Sequence, residues 1–142
     1  MTPQTTKKGE EVMKVSANIV DDIRAFTVKF GFDKDKFDAE KLKFRNQLLT
    51  EEFLEIQQAL GAKDAEEIVD GLVDLVVIAV GTLVLAGVDV DKAWNEVMRA
   101  NMSKVRGVKK GRENSGGFDV TKPEGWKAPN HSSNHGNLDE IL

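Results

Sequence analysis

With 142 residues, of which 40% are apolar and 31% charged, the chain is long enough for one domain with a real core. The absence of cysteine excludes disulfides, thiolate zinc sites and cysteine nucleophiles. A net charge of -4 argues against broad nucleic-acid binding, which needs a positive surface to replace counterions, although a local basic site stays open.

Leu, Ala, Val, Glu and Lys dominate, with three prolines and no tyrosine, a balance that favours helices over sheet. The expected fold is all-α: an antiparallel bundle of about four main helices, an obligate homo-oligomer, with an irregular C-terminal tail. MTPQTTKKGEE has no apolar stretch behind its lysines, so a secretory signal is not expected, and the missing cysteines fit a cytoplasmic location.

From Glu10 to Phe30, the residues Val12, Val15, Ile19, Ile23, Phe26 and Phe30 recur at three- and four-residue steps and predict an amphipathic helix stopped by Gly31. Arg24 and Lys29 lie off its stripe and read as solvated charges, although either could reach a phosphate. A second helix is expected from an Asp38 cap to about Leu60, before Gly61. Its seam is Leu49, Phe53, Ile56 and Leu60. Glu51, Glu52 and Glu55 flank that seam: at about 100° per residue, Glu51 and Glu55 lie roughly 40° apart, and Glu52 and Glu55 roughly 60°.

The third helix should start at Asp64. Asp64 and Glu67 have capping-box spacing, on which reading Glu67 only satisfies a backbone N–H. Asp70 and Asp74 continue the acidic stripe into the chain's most apolar run, where an ionised carboxylate needs a basic group, water or a metal. That run, Leu75 to Val88, holds 14 residues without a charge. It is too short for a bilayer core of about 30 Å, so no membrane partner is expected. It reads as a central helix buried on most sides, and covering it calls for a homodimer or homotetramer.

Asp89 or Asp91 can cap a fourth helix carrying Ala93, Trp94, Val97, Met98 and Met102. Its end presents Asn101 and Lys104 at an i,i+3 step, suited to a sugar hydroxyl and a phosphate, with Arg106 as a possible addition. The alternative is a basic helix C-terminus complementing the dipole. Residues 1–108 are read as the helical domain and 109–142 as a loop-rich flap and tail with a frayed end, docked through Phe118 and Trp126 onto the bundle or a partner subunit. His131 and His135 are read as solvated residues rather than metal ligands.

Either acidic group alone could be a solvated face. Together, the E-E-x-x-E of Glu51 to Glu55 and the E-x-x-D of Glu67 to Asp70 suit Mg²⁺, which prefers oxygen ligands, or Mn²⁺ in its place. With the apolar helix and the N-x-x-K pair, the chain resembles the MazG-like all-α nucleoside triphosphate pyrophosphohydrolases over about residues 10 to 110. That superfamily includes phosphoribosyl-ATP pyrophosphohydrolases and dimeric dUTPases. The resemblance implies that Glu52, Glu55, Glu67 and Asp70 bind Mg²⁺, that Glu51 handles the attacking water, and that Asn101 and Lys104 contact the nucleotide substrate. The 11 residues between Glu55 and Glu67 are a short gap, suggesting a tight turn at Gly61.

No G-x-x-x-x-G-K-[ST] is present, which excludes a P-loop NTPase. A di-iron bundle expects Glu-x-x-His pairs on core helices, which are missing. The expected activity is cleavage of a (d)NTP to a (d)NMP and pyrophosphate. Hydrolysis of phosphoribosyl-ATP, or a non-catalytic helical interaction module, are the alternatives.

Overall fold

A computed structural model describes residues 18–142, and the predicted first-helix positions Val12 and Val15 lie outside them. The protein is mostly helical. Helix α1 spans Ile19–Lys29, with the Asn18 side chain accepting from the N–H groups of Val20 and Asp21. Gly31, at φ 73°, takes the left-handed conformation that lets the chain leave the helix. A 3₁₀ turn at Phe32–Lys34 leads to α2, Ala39–Ala62, whose Asp38 cap accepts from Lys41 N–H at 2.9 Å. Such a cap contributes about 1 kcal/mol.

Gly61 does not end α2. The helix runs through it to Ala62, and Lys63 makes the turn at φ 55°. Helix α3, Ala65–Leu85, follows at once, capped by Asp64. It returns along α2 with little between the two backbones. A Cβ placed on Gly71 would lie 2.6 Å from Cγ1 of Ile56, so the glycine is what admits the isoleucine. Further along, Arg45 of α2 donates to Thr82 Oγ1 at 3.0 Å and to the Ile78 carbonyl at 2.9 Å. These contacts set the register that matters for function: with Ile56 at Gly71 and Arg45 at Ile78 and Thr82, Glu52 stands across from Asp74.

The expectation that α3 is buried on most sides does not hold within one chain. Val69, Leu72, Val73 and Val76 are all exposed, because α1 and α2 cover only one side of the helix. Nor does the length argument survive: the charge-free run is short, but the 21-residue helix as a whole is long and apolar enough to cross a membrane.

Asp89, rather than Asp91, caps α4, Val90–Met102. Beyond it a small hairpin pairs β1, Val105–Arg106, with β2, Val120–Thr121, antiparallel, Arg106 facing Val120. The tail does not fray. It closes with α5, Leu138–Ile141, whose Leu138 and Ile141 pack on the buried cluster of Phe37, Ala86 and Val88. Asn137 donates from its backbone to the Ala86 carbonyl at 2.8 Å and from its side chain to the Phe37 carbonyl at 2.9 Å. Gly136, at φ 58°, lies so close to the Ala86 carbonyl that no side chain fits there. Trp126 docks as expected, whereas Phe118, 92% exposed, does not dock on this chain.

Candidate active site

The α2–α3 register gathers carboxylates from two helices. Glu52 is half-buried, and its Oε2 is shut off from solvent without a hydrogen-bond partner. Burial raises its pKa, and the charges of Glu55, Asp74, Asp70 and Glu51 raise it further. Two of those four carboxylates, Asp74 and Asp70, come from α3, so the acidic faces of the two helices feel each other's charge. Among the described residues, no lysine, arginine or histidine forms an ion pair with any of them.

An orphaned acceptor oxygen ringed by like charges is a poor arrangement for an isolated protein and a suitable one for a hard divalent cation. In chemistry, though not in their present spacing, these carboxylate oxygens are the donors Mg²⁺ takes. Among the described residues, no three acidic or histidine side chains are close enough together to hold a metal ion; Glu55 and Asp70, both exposed, would have to turn inward to complete a site.

Glu51 is exposed on α2 and receives a hydrogen bond from Gln47 Nε2, one turn earlier, at 3.3 Å. That bond steadies one oxygen and leaves the other for a water. At Glu67, only half of a capping box forms. Asp64 accepts from Glu67 N–H at 3.2 Å, but the Asp64 N–H already donates to the Ala59 carbonyl at 2.9 Å, so the Glu67 carboxylate is not consumed by the cap. Glu67 is not among the leading charges acting on Glu52, as expected from a register that places it opposite Ala59, about a turn beyond Glu55.

Asn101 and Lys104 do not share a helical face. Helix α4 ends at Met102, and Lys104 lies past it, its ammonium 5.5 Å from the centre of the Trp126 ring. Arg106 is occupied in the hairpin, donating from Nε to the Gly117 carbonyl at 3.0 Å. His135 pairs with Asp139 at 2.9 Å.

Sequence reasoning passed over Arg45. It lies seven residues before Glu52, on nearly the same side of α2 and about 10 Å away along the axis. Its bonds to Thr82 and Ile78 are to neutral groups, and burial lowers its pKa. It borders a pocket of about 230 Å³ lined mainly by Phe32, Phe37, Phe44 and Leu85. The signal was a lone cation in the buried seam, between Leu42 and Leu49.

No curated protein sequence matches the chain. A family model described as phosphoribosyl-ATP pyrophosphohydrolase matches residues 25–101, which include α2, α3 and most of α4. That match covers more than half of the chain and contains every carboxylate of the α2–α3 cluster; the chain belongs to the phosphoribosyl-ATP pyrophosphohydrolase family.

Proposed function

We propose that the protein is a Mg²⁺-dependent nucleotide pyrophosphohydrolase that splits the α–β anhydride of a (d)NTP into a (d)NMP and pyrophosphate, with Mn²⁺ able to replace Mg²⁺. The observation that carries this reading is Glu52, whose buried oxygen has no partner while four carboxylates from two helices raise its pKa. Glu52, Glu55, Asp70 and Asp74 are the ligands favoured by the register, with Glu67 at their edge. The metal, once bound, supplies neutralisation of phosphate charge and acidification of a coordinated water.

Glu51, held by Gln47, orients the attacking water and takes its proton. Asn101, in the last turn of α4, serves the sugar end of the nucleotide. The apolar pocket beside Arg45, about two helical turns from Glu52, suits a base. Phosphoribosyl-ATP is the second reading, and the family match favours it.

The test is to incubate the protein with Mg²⁺ and a panel of canonical and modified (d)NTPs together with phosphoribosyl-ATP, measuring pyrophosphate separately from orthophosphate. Pyrophosphate is expected, with turnover abolished by EDTA and by Glu55→Gln while helicity is unchanged. Release of orthophosphate alone, or turnover that survives Glu55→Gln, rejects the assignment.

A further inference from the structure

Past the residues that the family model covers, the charge balance of the chain reverses. Between Lys104 and Lys127 there are seven lysines and arginines against three carboxylates, in a protein of net charge -4. The hairpin folds five of these cations around one groove of about 460 Å³: Lys104, Lys109, Lys110, Arg112 and Lys122. Val108, Val120 and Thr121 complete its lining, and no carboxylate of α2 or α3 contributes to it.

The groove is built rather than casual. Arg112 is held by Asp119 at 2.8 Å, and the same Asp119 oxygen accepts from Val120 N–H at 2.8 Å. The Asp119 carbonyl accepts from Gly107 N–H at 3.2 Å, tying the two strands together. Trp126 donates from Nε1 to the Ala100 carbonyl at 2.7 Å, and its ring carries Lys104 at 5.5 Å and Lys122 at 4.7 Å. One tryptophan thus anchors the hairpin segment to α4 and positions two ammonium groups. Among the described residues, Arg112 is the only one of the five with an ion-pair partner. The remaining four repel one another until an anion compensates them.

We propose that this groove binds a small polyphosphate anion, without a divalent metal, at a site separate from the α2–α3 carboxylates. Its volume falls within the range of small-molecule pockets, which favours a compact anion over a polymer. Lysines act as point charges on phosphate, and Lys104, Lys122 and Arg112, already held by Trp126 and Asp119, lose little freedom on binding.

The experiment is calorimetric titration of the full chain with sodium tripolyphosphate in EDTA. One saturable site is expected, weakened as salt is raised. The paired variant Lys109→Ala with Lys110→Ala removes two exposed cations and is expected to cost about tenfold or more in affinity with an unchanged circular dichroism spectrum. Glu52→Gln is expected to leave binding intact, which separates this site from the proposed catalytic one. Absence of binding, indifference to the lysine substitutions, or loss of binding in Glu52→Gln overturns the proposal. So does displacement of tripolyphosphate by single-stranded oligonucleotides with affinity that rises with their length, which would make the groove a polymer site.

Discussion

Glu52 owes its character to where its neighbours stand rather than to its own identity. One of its oxygens is buried without a partner, and the second-largest influence from outside α2 on its charge is Asp70, behind Asp74. Asp74 is itself half-buried, whereas Glu67 is exposed and not among the leading charges on Glu52. Asp74→Asn is therefore expected to lower kcat/KM by at least roughly 100-fold and to weaken Mg²⁺ binding, since loss of even an outer supporting partner of a metal costs 10- to 100-fold. Glu67→Gln is expected to cost clearly less. Steady-state kinetics at several Mg²⁺ concentrations decide the order, and the reverse order would return Glu67 to the centre of the site. The three- and four-residue spacing made the acidic stripes legible from sequence alone. Which members of two stripes converge was not legible, because that depends on interhelical register, and the register is set by apolar and backbone contacts at Ile56, Gly71 and Arg45.

The α2–α3 pair can be tested through two glycines with opposite roles. At Gly61 a Cβ meets nothing within 4 Å, so Gly61→Ala gains only the helix-propensity term, about 0.5–1 kcal/mol. At Gly71 the same term is outweighed, because Cγ1 of Ile56 is bonded directly to the branched Cβ and cannot swing away like a side-chain tip, and overpacking costs about 1–3 kcal/mol. Thermal melts are expected to rise for Gly61→Ala and fall for Gly71→Ala, with activity falling in the second as the carboxylates separate. The caps were readable in advance: Asp38, Asp64 and Asp89 each accept from the N–H three residues on. Gly61 was misread as a stop because glycine permits a turn without requiring one, and the left-handed residue is Lys63. A second element-level test concerns the tail. The Glu96 carboxylate lies below its ordinary value near 4.5, chiefly through the hydrogen bond from Arg99 and next through the Asn130 N–H, which it accepts at 3.1 Å. A lowered folded value means that the ionised form favours folding, so this contribution is full above about 4.5 and is lost as pH falls through the lowered value. The hydrogen-exchange protection factor at Asn130 is expected to drop across that acid window, and to be low and flat in Glu96→Gln.

On the scale of the whole molecule, the most informative surface is the one left uncovered. Val69, Leu72, Val73 and Val76 stand at i, i+3, i+4 and i+7, a continuous apolar stripe along the solvent side of α3. The charge-free run in the sequence already implied a helix that needs covering. What it could not reveal was that the chain spends its own coverage on the α2 side, where Gly71 and Gly81 admit Ile56 and Arg45, and devotes its tail to the Phe37, Ala86 and Val88 cluster. A second copy of the chain, packing its own α3 stripe isologously, is the covering expected for a dimer or a tetramer. Sedimentation equilibrium in detergent-free buffer is expected to return a mass of two or four chains. Val73→Asp, which places a charge in the middle of the stripe, is expected to shift the population to monomers while leaving monomer helicity intact, because Val73 is exposed within the single chain and a buried unpaired charge penalises only the assembly. A wild-type protein that is monomeric in buffer and floats with liposomes would assign the stripe to lipid instead, a role for which the 21-residue α3 has the length. The acidic first half of the helix weighs toward the protein partner: Asp70 and Asp74 occupy the stretch that would have to enter the bilayer, with Glu66 and Glu67 at its edge.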